Sequence, residues 1–264
     1  MTSPAVASNG WADANALATF DDALLGTGRP SPATLTLIIP MYCESDRIGS
    51  TVSKLAASAL HREDIEFLFV DDGSPDDTTL ATQIAIDTFG LRHARILRLT
   101  VNVGKGGAIK AAVQHAAGHN IGFVDADLSL DPAEVSQALA RLVTTQADLV
   151  VGHRIIDRAH QPKLRRMASL TFRSIARRLV PTTAADTQCA MKLFRGPVAK
   201  DLFFELATTG FAFDVELLRR ADLAGLRIED VPVAWQHQSG SRLNTVTDSV
   251  RMLREIFAIR RSIR

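Results

Sequence analysis

The sequence predicts an α/β fold, a mostly parallel central sheet with helices on both faces. Two observations carry the prediction. From residue 34 onward, short apolar runs alternate with longer helical stretches, and several of the runs close on proline or acidic residues. Strands separated by helices need crossover connections, and such crossovers join parallel neighbours in one sheet.

The elements follow in order. Leu35-Thr36-Leu37-Ile38-Ile39 is a first strand closed by Pro40, and a polar turn leads into a helix over 47–60. Ile65-Glu66-Phe67-Leu68-Phe69-Val70 is a second strand, ended by the turn residues Asp71-Asp72-Gly73-Ser74-Pro75. A helix over 77–89 comes next, with Gly90 placed to cap it. Residues 94–99 give a third strand, 105–118 a third helix and 120–124 a fourth strand, after which Asp131-Pro132 suits a helix start. The second half is less regular: strands at 147–152, 189–194 and 227–235, helices near 197–206 and 213–224, and basic helices over 161–180 and 247–264. Residues 1–32 are rich in Ala, Ser, Asp, Gly and Pro and read as a disordered or weakly ordered tail with at most a short helix at 12–25. The expected organisation is therefore a tail (1–32), one domain (33–245) and a basic amphipathic C-terminal helix (246–264).

Bulk composition narrows the function classes. With 264 residues, 46% hydrophobic and 22% charged, the chain can bury a core of normal size. A net charge of +1 gives no global field for nucleic acid, so attraction to an anionic surface must be local. Cys43 and Cys189 match no zinc or redox spacing and read as reduced thiols of a cytoplasmic protein. No run of 18 apolar residues is present, and the N-terminus lacks the basic start and apolar run of a signal peptide.

Chemistry concentrates at the strand ends. Asp125 and Asp127 follow the apolar run 120–124, and two acids there are costly to bury without a positive partner. A hard divalent cation takes one or two carboxylates and fills its remaining positions with water and phosphate, so the pair points to metal-assisted phosphate chemistry. The same residues also suit a capped turn. In a parallel sheet ligands sit at the carboxyl ends of the strands, where Glu44, Asp71, Asp72, Lys105, Asp125 and Asp127 all fall, and this convergence favours the metal reading. The loop Gly104-Lys105-Gly106-Gly107 fails as a dinucleotide fingerprint, since Ile109 takes the third glycine's place, and fails as a P-loop on spacing. It still lets backbone approach a ligand closely, and Lys105 can pair with phosphate or carboxylate.

Together, residues 36–44, Val70-Asp71-Asp72-Gly73-Ser74, residues 102–108, Asp125-Ala126-Asp127, Asp186-Thr187-Gln188-Cys189-Ala190-Met191-Lys192-Leu193-Phe194 and Phe213-Asp214-Val215-Glu216 resemble family 2 glycosyltransferases of the GT-A fold. The later segments are similar to the dolichyl-phosphate glucosyltransferase branch, close to the polyprenyl-phosphate mannose synthases, and the resemblance covers residues 34–245. It implies an inverting, metal-dependent enzyme moving a hexose from UDP-glucose or GDP-mannose to a polyprenyl phosphate. By this resemblance Pro40, Tyr42, Glu44, Asp72, Lys105, Asp125 and Ala126 bind the nucleotide sugar, and Asp125 and Asp127 hold Mg²⁺ or Mn²⁺. Asp127, Asp214 and Arg242 are the catalytic candidates. Asp214 and Glu216 are two positions apart and do not share a helix face, so at most one reaches the site.

An anionic acceptor calls for cations. Lys192, Arg195, Ser241 and Arg242 are the candidates for its phosphate, Arg242 by its fork and Lys192 as a point charge, and His237 could join them. The helices at 161–180 and 247–264 place apolar residues beside arginines, a pattern that suits peripheral binding at the cytosolic face of a membrane and equally a solvated helix face. Two other functions remain open: transfer to a soluble hydroxyl acceptor or glycan, and nucleotide-sugar binding without turnover.

Overall fold

The computed structural model describes residues 33–155, 178–234 and 245–263, with side chains of the last segment from Arg251 onward. The expected tail, nearly all of the 161–180 helix and the Ser239–Arg242 loop with His237 lie outside the described residues.

Among the described residues seven strands form one sheet: β1 (Leu35–Met41), β2 (Ile65–Asp71), β3 (Ala94–Arg98), β4 (Asn120–Phe123), β5 (Leu149–Ile155), β6 (Lys192–Arg195) and β7 (Ile228–Ala234). Their order is β3-β2-β1-β4-β6-β5-β7. β1 pairs in parallel with β2 and β4, and β5 with β7; only β6, between β4 and β5, runs antiparallel to its neighbours. Phe123 therefore stands opposite Lys192, and Asn120 opposite Arg195. β6 begins at the edge where the other strands end.

The helices are α1 (Ile48–Ala56), α2 (Thr78–Phe89), α3 (Lys105–His115), α4 (Pro132–Thr145), α5 (Gly196–Glu205), α6 (Phe213–Leu223) and α7 (Thr245–Ser262). Gly90 caps α2 in the left-handed conformation with φ 64°, and Asp131 caps α4 by accepting the Ala133 N–H at 2.8 Å. α3 ends before the 118 expected from sequence because the buried side chains of Glu66 and Thr36 take the backbone N–H groups of Ala117 and Gly118. α1 stops short of residue 60 in a turn where the Ser58 hydroxyl donates to Leu55 O at 2.7 Å.

Strand periodicity divides the interior in two. Leu37, Ile39, Phe67 and Phe69 pack with residues of α1, α2 and α4 on one face. Ile38, Leu68 and Val70 pack on the other with α3, α5 and α6. Within this second core Phe123, Phe194, Phe203 and Phe213 pack with ring centroids 5.7–6.4 Å apart. The expected apolar stripe of the C-terminal helix is largely a packing face: Ile256 and Ile259 are buried against Val180, Ala212 and Val215. α7 thus shares a core with α6 and leaves Phe257 exposed with Arg251, Arg254, Arg260 and Arg261.

Candidate active site

The carboxyl ends of β1, β2, β4 and β5 meet at one edge of the sheet, with the N-termini of α3 and α6 beside them. The β1 and β2 loops are tied together, Cys43 N–H donating to Ser74 Oγ at 2.9 Å and Glu44 N–H to Thr78 Oγ1 at 2.8 Å. Cys43 takes a positive φ of 55° there, a left-handed conformation uncommon for a residue with a side chain. Pro40 is half-buried, Tyr42 is exposed, and Glu44 accepts from Arg47 at 2.7 Å.

Asp71 and Asp72 divide their roles. Asp71 is fully buried and holds its own turn, accepting from Ser74 N–H at 2.9 Å and from the Thr79 hydroxyl. Asp72 reaches across to the α3 loop and accepts the N–H groups of Val103 at 2.7 Å and Gly104 at 2.9 Å. Burial pushes its carboxyl up to about 6, against the lowering effect of those two hydrogen bonds.

The glycines of the 104–107 loop have a packing reason that sequence alone did not reveal. A Cβ on Gly104 would lie 2.6 Å from Thr209 O, and one on Gly106 2.6 Å from Phe213 Cβ. The backbone they admit is the chain's own segment 208–213, which accepts the Gly107 N–H at Thr209 O, 3.2 Å away. Close approach puts the start of α3 against the start of α6, and with them Lys105 against Asp214.

Four charged groups then form a row from the open edge into the core. Asp125, partly exposed, pairs with the Lys105 ammonium, which lies 6.0 Å from the centre of the Phe213 ring. Burial opposes the charge on Lys105, but Asp125, Asp214 and Asp127 outweigh it and hold its pKa above the usual value. Asp214, in the first turn of α6, pairs with Lys192 at 2.7 Å. Burial raises the Asp214 carboxyl, while Lys192 and Lys105 pull it back. Lys192 is fully buried and also donates to Thr187 O and Cys189 O, at 3.2 and 2.8 Å. Asp127 lies beside the row, its Oδ1 accepting Ser129 N–H at 3.0 Å, and Ala126 is anchored through its carbonyl by the Thr51 hydroxyl. Asp127 forms no ion pair among the described residues.

Asp125 and Asp127 suit a hard divalent cation. Both are partly exposed oxygen donors at the open edge, and three carboxylates against two ammonium groups leave the cluster with a surplus negative charge when all are ionised. No group of three or more His, Cys, Asp or Glu that could hold a metal occurs among the described residues. A hard cation held by only two carboxylates completes its shell with water and phosphate.

Two acceptor-side expectations change. Arg195 does not reach this edge: with β6 antiparallel it stands level with Asn120 at the opposite end, about 10 Å along the strand from Lys192, and donates to Ala147 O at 2.9 Å. Lys192 is at the right edge, but its ammonium is spent on two carbonyls and Asp214. Glu216, fully buried, turns away from the row and holds the 207–208 backbone, accepting from Ala207 N–H at 3.0 Å and Thr208 N–H at 2.7 Å. Sequence reasoning missed Arg154, at the carboxyl end of β5 three residues beyond Val151, which is level with Lys192. Asp186 holds its guanidinium through two contacts of 2.7 and 3.0 Å. The rule that singled out acids at strand ends would also have found this arginine.

The mixed seven-stranded sheet with acids gathered at its carboxyl edge matches the GT-A fold of glycosyltransferases, to which the solved structures below are alike. Residues 36–203 match glycosyl transferase family 2, and the chain belongs to that family. Dolichyl-phosphate beta-glucosyltransferase of Saccharomyces cerevisiae is 30% identical over 248 residues, covering 86% of this chain and 74% of the yeast protein. Dodecaprenyl-phosphate galacturonate synthase of Rhizobium johnstonii is 30% identical over 181 residues, 67% of this chain and 52% of that one. Among solved structures, glucosyl-3-phosphoglycerate synthase of Mycobacterium tuberculosis is alike in fold, with a TM-score of 0.65 at 18% identity over 87% of this chain and 81% of that chain. So is a mannosyltransferase from Pyrobaculum calidifontis, in complex with GDP-Man and Mn²⁺, with a TM-score of 0.63 at 19% identity over 88% and 66%.

Proposed function

We propose that this glycosyltransferase is inverting and metal-dependent and moves a hexose from a nucleotide sugar to a polyprenyl phosphate at the cytosolic face of a membrane. The observation that carries the proposal is the row Asp125, Lys105, Asp214, Lys192 at the carboxyl edge, with Asp127 beside it. The dolichyl-phosphate beta-glucosyltransferases similar to this chain over most of its length support the lipid acceptor and favour glucose over mannose as the sugar moved.

Pro40 at the end of β1, Tyr42 and Glu44 on the loop after it, and Asp72 on the β2 loop contact base and ribose; ionised carboxylates are pure acceptors and suit ribose hydroxyls and base N–H groups. Asp125 and Asp127 would hold Mg²⁺ or Mn²⁺, which offsets charge on the departing nucleoside diphosphate. Lys105 moves from Asp125 toward the diphosphate and adds a second positive group. Asp214 positions the sugar. The acceptor phosphate is already ionised near neutral pH, so its attack needs no proton removed by a base. Arg154 serves on the acceptor side in place of Arg195, together with Ser241 and Arg242.

Incubation with UDP-glucose or GDP-mannose and a polyprenyl phosphate, with and without Mn²⁺, tests the proposal. Metal-dependent formation of a lipid-linked sugar is expected; none from any donor overturns it, and transfer to a soluble hydroxyl acceptor alone would select the other substrate class. Asp127→Asn is expected to abolish transfer with little change in Tm, because that charge is useful only with metal and donor present. Full activity in this variant would remove the metal assignment.

A further inference from the structure

Helix α6 carries Asp214 but has no cap of its own. Its N-cap residue is Ala212, which offers no acceptor, and its third helical residue is Val215. In a capping box a Glu or Gln at that third position reaches back to the N-cap N–H. Here the acceptor comes from another helix: Glu255 Oε2 on α7 accepts the Ala212 N–H at 3.0 Å, across 43 residues of sequence. The contact is built from both sides. A Cβ on Gly210 would lie 2.0 Å from Glu255 Oε1, so the carboxylate fills the space that glycine leaves. Ile256 and Ile259 fix the register of α7 by packing on Ala212 and Val215, and Arg251 faces Glu255 at 3.6 Å.

We infer that Glu255 is a positioning residue for the transferase site, acting through the N-terminus of α6 on the Asp214 carboxylate. The inference rests on the function proposed above. Asp214 stands two residues after the capped N–H, so a shift of this turn alters its contacts with Lys192 and Lys105. The 208–210 segment just before it meets the α3 glycines, which extends the effect to Lys105.

Transfer kinetics and amide hydrogen exchange of Glu255→Ala, Glu255→Gln and Gly210→Ala test this. In Glu255→Ala, kcat is expected to fall about tenfold with donor KM within about twofold, the scale of one lost hydrogen bond felt in turnover and not in binding. Exchange at residues 212–215 should quicken. Glu255→Gln keeps an acceptor oxygen and should restore most of kcat, while Gly210→Ala, whose methyl collides with the carboxylate, should reproduce the alanine profile. Unchanged exchange, or faster exchange with wild-type kcat, overturns the inference. A wild-type chain inactive with every donor would instead overturn the transferase reading, and exchange at 212–215 would still decide whether Glu255 caps α6.

Discussion

Asp72 carries a pH dependence that two measurements can separate. Its carboxyl titrates near 6 in the fold, above the ordinary value of 3.8, because burial disfavours the charged form. The folded chain therefore retains a proton that the unfolded chain releases. The resulting stabilisation is full below about pH 4 and is lost as pH rises through about 6. Donor binding has the opposite sign, since the ionised carboxylate is the stronger acceptor for ribose hydroxyls and base N–H groups. Donor KM is expected to rise as pH falls below about 6. In Asp72→Asn the KM should be higher at neutral pH and flat across that window. A wild-type KM that does not change between pH 7 and 5 would take Asp72 out of the donor site.

At the scale of elements, much of the site was legible because its acids sit at the ends of apolar runs, where a parallel sheet must gather them. Strand direction was not legible. Lys192-Leu193-Phe194-Arg195 reads alike in either orientation, and the antiparallel course of β6 decided that Lys192 lies at the site edge and Arg195 at the far one. The cap on α6 was hidden for another reason: its two halves are 43 residues apart and no local pattern joins them. The burial of Lys192 has a direct consequence. Removing one partner of a buried ion pair leaves an uncompensated charge, so Lys192→Met is expected to cost about 3–5 kcal/mol. Denaturant unfolding of Lys192→Met, Asp214→Asn and the double variant measures it. The double variant should recover stability relative to Lys192→Met but not transfer activity, because Asp214 is needed beyond its pairing. Recovery of both would reduce the pair to a packing device.

For the whole molecule, the question is how an enzyme of net charge +1 would meet the lipid acceptor proposed for it. No helix among the described residues is long and apolar enough to cross a membrane. The inward face of α7 is used up on α6, which leaves an outward face of Arg251, Arg254, Phe257, Arg260 and Arg261. Phe257 is 50% exposed, a large apolar group among cations. Arginines near an anionic surface contribute about 1 kcal/mol each, and an aromatic ring at headgroup depth adds burial. Wild-type protein should therefore sediment with vesicles containing phosphatidylserine, release as salt is raised, and bind pure phosphatidylcholine weakly. Arg254→Glu, Arg260→Glu and Arg261→Glu together should abolish the anionic preference. Transfer to a short, water-soluble polyprenyl phosphate should survive these changes, since none of the three side chains belongs to the charge row. If the triple variant binds anionic vesicles as the wild type does, α7 is a solvated strut for α6 and membrane contact lies elsewhere on the chain.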